Sequence, residues 1–518
     1  MGDLDERRRR SVNSQEEGRG DSSDKRGILT LLAEPGCLLC RQERKAEDLF
    51  FAWYVIESYC EPVSLKRVEK ALGFCRRHTR VLLSRAGPSI VAYLYRYLIA
   101  AALDRLSGVE RVLSTAAGHK SVKLDLTDLT SQSSCPVCAT MKEHSVFMVS
   151  LIRRTWRDPE VRYALEAKYP FDLMHILQVS SILSWDELSF FTTLMRDRLA
   201  DSKRAGRPRS DGSLVPLIWS TPLKDKDSVW KDGTHNPTSD HGEMSGFGRE
   251  SWSPTLMELR RSLREPGCLI CEAEKKALQG YYRWLSGEIK STPSYRWSDA
   301  IWLCREHASD FLRVGEQAAV SRLGEAAREY WLIELEKLMI GLGDRPENFF
   351  MHRAVGATRR LRKQVASGKG WGRWRSFQRH FPASMKYLCR PPKSVLAELR
   401  DRWLRIHPCP ACTCAQTAAD RTCDLLVRGL KDAGTRSVYS EGSGVCFQHL
   451  PLALEFTASV DVRRVLLHSQ RVRLEILAWE LAEFSRKNNW SVRYENKGWE
   501  QTAWKRAVAQ YSGTLAIG

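Results

Sequence analysis

EPGCLLC at residues 34–40, GFCRRH at 73–78, EPGCLIC at 265–271 and LCREH at 303–307 are one pattern met twice: a paired-cysteine turn, then a Cys-x-x-His. Working outward, the register is Cys37-x-x-Cys40 with Cys75-x-x-His78, Cys268-x-x-Cys271 with Cys304-x-x-His307, and Cys409-x-x-Cys412 with Cys446-x-x-His449. The gaps between the pairs are 34, 32 and 33 residues. A further pair, Cys135-x-x-Cys138, is followed after a gap of 33 by Asp172-x-x-His175, and Phe171 precedes Asp172 as Phe74 precedes Cys75. It reads as a copy in which Asp replaces the third cysteine.

Three thiolates and an imidazole suit a tetrahedral Zn2+ site, because these are ligands the ion prefers and two closely spaced pairs supply four corners. Each module is expected to close its own site. The groupings are then Cys37, Cys40, Cys75 and His78; Cys135, Cys138, Asp172 and His175; Cys268, Cys271, Cys304 and His307; and Cys409, Cys412, Cys446 and His449. That makes three or four zinc ions per chain, with the Asp-bearing site the weakest. Iron is the rival metal, although the spacings differ from the familiar cluster-binding runs.

A complete Cys3His set leaves no open position, so the sites read as structural and not catalytic. No G-x-x-x-x-G-K-[ST], G-x-S-x-G or H-E-x-x-H occurs, so no enzyme is expected and no small-molecule substrate is identified. A thioredoxin-like dithiol would need a βαβ context, which the pattern lacks. A zinc-held redox switch stays open as an alternative, since zinc thiolates can be oxidised with release of the metal. Outside the register, Cys414 is an alternative ligand beside Cys412, and Cys60, Cys389 and Cys423 are expected as small buried residues.

The pairs introduce helical patterns. Leu278, Tyr281, Tyr282, Leu285 and Ile289 recur at helical spacing, as do Leu49, Phe50, Trp53 and Ile56, so both sets are expected to face the core. After Gly87, Pro88 suits the first turn of a second helix whose apolar side is Ile90, Leu94, Tyr97 and Leu98. The expected fold is mainly α: four tandem helical zinc-binding modules, in two paired units, joined by flexible linkers. The expected boundaries are a disordered tail over 1–26, module A over 27–118, module B over 119–200, a linker over 201–250, module C over 251–345, a basic aromatic insertion over 346–393, and module D with C-terminal helices over 394–518.

The 518 residues carry a formal net charge of +19, and Arg353 to Lys393 holds twelve Lys or Arg with no Asp or Glu. There Arg359, Arg360, Arg362, Lys363, Arg373, Arg375 and Arg379 could neutralise phosphates while Trp371 and Trp374 stack on bases. KRAGRPRS at 203–210 adds Arg207 and Arg209 around a Gly-Arg-Pro core that resembles the AT-hook, a minor-groove element. DNA or RNA is one expected partner; a protein partner for a zinc-module scaffold is the other. No apolar run reaches the roughly 20 residues of a membrane span, and no signal peptide is evident, so no membrane partner and a cytoplasmic location are expected.

The turn, helix and GFCRRH of module A, with DPEVR at 158–162 before FDLMH in module B, resemble an uncharacterised bacterial family of zinc-ribbon-like proteins, a domain of unknown function. The family pattern has a GCPLC-type turn, an Asp-Pro-x-x-Arg helix start and a GFCxxH. The likeness covers most of 27–200 and, more loosely, 251–345 and 394–490. It implies a helical metal-binding fold with no reaction attached, and Asp172 departs from it.

Overall fold

The computed structural model describes residues 22–115, 124–131, 133–168, 171–172, 175–176, 183, 185–204, 252–291, 303–343, 409–492 and 494–513. Among them no strand occurs, and the mainly α expectation holds. Module A contains α1 (22–33), α2 (Leu38–Ile56), α3 (Pro62–Lys70), α4 (Arg76–Arg85) and α5 (Pro88–Thr115). Module B contains α6 (Pro136–Thr155), α7 (Pro159–Lys168) and α8 (Trp185–Arg204), and module C contains α9 (Trp252–Arg264), α10 (Leu269–Ser291), α11 (Arg305–Val314) and α12 (Gln317–Gly343). Module D contains α13 (Pro410–Gly429), α14 (Ala433–Glu441), α15 (Leu450–Glu455), α16 (Val460–Lys487) and α17 (Ala503–Ser512). None of these helices is long and apolar enough to cross a membrane.

Local chemistry explains the repeated turn. Gly36 and Gly267 adopt φ of +87° and +102°, a left-handed conformation that a side chain would strain, and each turns the chain from one helix into the paired cysteines of the next. A carbonyl at the end of α1 is not left bare, because Arg41 donates to Leu31 O, and the same side chain donates at 2.7 Å to Pro35 O in the turn that follows. In module B, Asp158 accepts from the Glu160 amide at 2.9 Å ahead of Pro159, so the Asp-Pro start is an N-cap followed by a proline whose missing N–H is not needed.

The described residues fall into two compact units, each drawn from all four modules. One comprises Met1–Arg44, Glu143–Leu223 and Tyr282–Ala411; the other comprises Lys45–Lys142, Lys224–Tyr281 and Cys412–Gly518. In the first, α8 packs along α12, and Arg153 of α6 donates to Glu187 of α8 at 3.0 Å. In the second, α5 packs on α16 and α17. Tyr511 of α17 stacks on Phe447, with ring centroids 5.2 Å apart, and meets Tyr95 edge-on.

Two expectations need correction here. Residues 22–26, placed in a disordered tail, form the start of α1, where Lys25 pairs with Asp158 at 3.0 Å and Asp24 with Arg154 at 2.8 Å. On α2 the expected stripe is not the core face: Leu49, Trp53 and Ile56 are exposed, Phe50 packs against the core, and the buried line runs Leu39, Glu43, Glu47, Phe51 and Tyr54. An apolar-only template missed this line because two carboxylates lie on it, and both are paired. By contrast Tyr282, Leu285 and Ile289 on α10, and Leu94 and Leu98 on α5, are buried as expected.

Candidate metal centres

The structure brings the sixteen candidate ligands together in four clusters, each with its ligand atoms within 4.8 Å of one another. They are Cys37, Cys40, Asp172 and His175; Cys75, His78, Cys135 and Cys138; Cys268, Cys271, Cys446 and His449; and Cys304, His307, Cys409 and Cys412. Pairing within modules is therefore corrected to pairing between modules: A with B and C with D exchange halves. In particular Cys135 and Cys138 join Cys75 and His78, not Asp172 and His175. The physical reason is helix length. The 19 residues of α2 span about 28 Å, and the nine of α3 less than half of that, so the chain reaches Cys75 without retracing α2.

Each Cys-x-x-Cys heads a long helix, and each Cys-x-x-His begins or immediately precedes a short one. Cys75 is the N-cap of α4, its carbonyl accepts from the Thr79 amide at 2.8 Å, and His78 follows within the first turn. Gly73, at φ +90°, closes α3 by donating to Val68 O at 2.8 Å, which aims the cysteine.

The donor sets fit a tetrahedral ion. With zinc–sulfur bonds of about 2.3 Å and zinc–nitrogen bonds of about 2.0–2.1 Å, the edges of the tetrahedron are about 3.5–3.8 Å. His78 Nδ1 lies 3.2, 3.4 and 3.3 Å from the Sγ of Cys75, Cys135 and Cys138. His449 Nδ1 lies 3.5, 3.4 and 3.4 Å from Cys268, Cys271 and Cys446, and Cys271 is 3.9 Å from Cys446. In the fourth cluster His307 Nδ1 is 3.3 Å from Cys304 and 3.5 Å from Cys409. The Asp-bearing set is tighter: Asp172 Oδ2 is 3.0 Å from Cys40 Sγ and 2.9 Å from His175 Nδ1, while Oδ1 accepts the His175 amide at 2.8 Å. Those are hydrogen-bond lengths, so this set can satisfy itself.

Behind three of the histidines stands a carboxylate that was not among the sequence candidates. His78 Nε2 faces Glu47 at 2.9 Å, His175 Nε2 faces Glu43 at 3.1 Å, and His449 Nε2 faces Glu274 at 3.3 Å. A proton held on Nε2 leaves Nδ1 with its lone pair toward the sulfurs, the usual orientation device behind a metal-bound imidazole. A signal was present: Glu43 and Glu274 each stand three residues past the second cysteine in modules A and C. Glu47 has no such echo, because Leu278 holds the matching place in module C.

The electrostatics ask for a cation. Burial works against a charged imidazole at His78, but the Cys135 and Cys75 thiols and Glu47 outweigh it and raise the ring to about 11. At His449, burial is overcome by Cys271 and Glu274, and the ring rises to about 9. His175 and His307 are also raised against burial, by Asp172 and by Cys409 respectively.

The centres differ in cover. All four ligands are buried in the Cys37 and Cys268 sets, whereas Cys75, Cys138 and Cys412 are exposed. Cys414 is not a ligand here: its thiol points to Ala277 O at 3.7 Å. Cys423 is buried as expected, but Cys60 is exposed, and Cys389 lies outside the described residues. So do the candidate nucleic-acid contacts, Arg207, Arg209, Arg359, Arg360, Arg362, Lys363, Trp371, Arg373, Trp374, Arg375 and Arg379.

Residues 30–191 match the model of a family of unknown function, DUF6062. The matched stretch takes in modules A and B up to early α8 and holds both of their clusters. No curated protein and no solved structure matches the chain.

Proposed function

We propose that this chain is a non-enzymatic zinc protein whose four structural centres staple a helical scaffold, and that its basic aromatic insertion contacts DNA or RNA. The zinc reading rests on one observation: Cys3His donor sets at tetrahedral spacing, with the imidazole Nδ1 turned toward the sulfurs. Bound zinc would neutralise the thiolates and tie helix starts from two modules together, with no ligand position left for substrate. Cysteines kept as thiolates suit a reducing compartment such as the cytoplasm.

The nucleic-acid reading is supported by the charge of 353–393, twelve cations without an acid, interleaved with Trp371, Trp374 and Phe377. The competing scaffold reading draws on the exposed Val472, Ile476 and Trp479, spaced along one side of α16 as an apolar stripe for a protein partner. Elemental analysis of reduced, purified protein tests the metal. Three or four equivalents of zinc are expected; fewer than two with full helicity, or iron in its place, overturns it. For the partner, about six phosphate contacts would give a log-log salt slope near −5 on duplex DNA. No binding of DNA or RNA at low salt turns the choice to the protein scaffold.

A further inference from the structure

Arg76 stands next to one metal ligand and touches two ligands of another centre. It follows Cys75, a donor of the exposed Cys75–His78–Cys135–Cys138 centre, and opens α4. Its guanidinium reaches into the buried Cys268–Cys271–Cys446–His449 centre, donating to Glu274 at 2.7 Å and to Cys271 Sγ at 3.7 Å, with His449 Nε2 at 3.5 Å. Glu274 is the same carboxylate that backs His449. Arg76, Glu274 and His449 therefore form a linked trio beside the buried centre, and Arg76 adds an N–H to one of its sulfurs.

The Arg76 side chain is partly exposed, and its inner side is close to other groups of the buried centre. Gly513, at φ +89°, lies so close that an added Cβ would sit 2.9 Å from Cys271 Sγ and 3.9 Å from Arg76 Nε. Gln448, between Cys446 and His449, donates to Leu72 O at 3.0 Å just ahead of Cys75, so a second link joins the two motifs. A metal held by Cys75 would fix the N-terminus of α4, and with it the position from which Arg76 projects.

We propose that the exposed and buried centres are energetically coupled through Arg76, a positioning residue, so that occupancy of the first sets the metal affinity of the second. The exposed thiolates are where a chelator or an electrophile arrives; the buried set responds. Coupling between sites is reciprocal, and factors of about 5–150 are typical. The inference rests on the zinc reading, and the experiment separates the two.

The zinc-loaded full chain is challenged with EDTA and pulse-alkylated with N-ethylmaleimide, and labelling is read for each cysteine peptide by mass spectrometry. Arg76→Ala should speed labelling of Cys268, Cys271 and Cys446 about tenfold, with Cys37 and Cys40 unchanged. Arg76→Lys, which keeps the charge but loses the fork, should fall between. Cys75→Ser should give the same gain at the buried centre, and so should Cys138→Ser, made on a different helix. Adding Arg76→Ala to either should add nothing further, as expected for one shared route. Unchanged labelling of the buried cysteines in Arg76→Ala, or additive effects in the doubles, overturns the coupling. A chain that carries no zinc at all fails the functional reading instead.

Discussion

Glu47 and His78 face each other across 2.9 Å, the carboxylate from α2 and the imidazole from α4, and both are buried. Glu47 lies two turns beyond Cys40, yet the histidine it backs belongs to a centre that contains no residue of the first Cys-x-x-Cys. One helix thus carries ligands for one centre and the histidine support of another.

Removing that support should weaken one centre selectively. Glu47→Ala is expected to lower metal affinity at Cys75, His78, Cys135 and Cys138 by about 10–100-fold, with Glu47→Gln milder because its amide oxygen can take the carboxylate's place facing Nε2. Competition with a chromophoric chelator measures it. Parent-like affinity in both variants would show that His78 is held by packing alone.

Exchange of halves between modules gives a pattern that pairing within modules cannot. In Cys37→Ser, Cys40 should become reactive to alkylation while Cys75 stays protected; in Cys135→Ser, Cys75 and Cys138 should react while Cys40 stays protected. The reverse assignment would restore sites closed within each module.

The Asp172 centre should empty first under stepwise chelation. A carboxylate is a harder ligand than a thiolate, and Asp172 already bonds Cys40, His175 Nδ1 and the His175 amide at 2.8–3.0 Å, so its metal-free state loses less. Cys37 and Cys40 should label before Cys268 and Cys271, and Asp172→Cys should abolish the lead. If the parent labels both pairs together, the substitution has no effect on the order.

Metal uptake should release protons. Burial opposes charge on His449, but Cys271 and Glu274 hold the ring up to about 9, so below that pH the metal must displace a proton from it. Apparent affinity should therefore rise with pH from 6.5 towards 9 and then level for this group. For the metal-free chain the sign is opposite: a raised histidine pKa stabilises the fold fully below the unfolded value near 6.5, and that contribution is lost as pH climbs through 9. Calorimetry in buffers of different ionisation heat counts the protons; no release at pH 7 would refute it.

The donor chemistry and most of the helices are legible along the chain. A Cys-x-x-Cys or Cys-x-x-His is a local object: three residues of spacing place two donors on one turn, so the pairs, the Asp172 replacement, the Pro88 helix start and the buried Leu285 and Ile289 could all be read along the chain. Only the tertiary structure decided which pairs meet, because a site closed over more than 30 residues depends on where long helices end and what they pack against. For the same reason Glu43, Glu47, Glu274 and Arg76 were not among the candidate site residues. Each is given its role by a group distant in sequence: burial makes an unpaired charge at Glu43 or Glu47 too costly to leave, and Arg76 meets Glu274, 198 residues away.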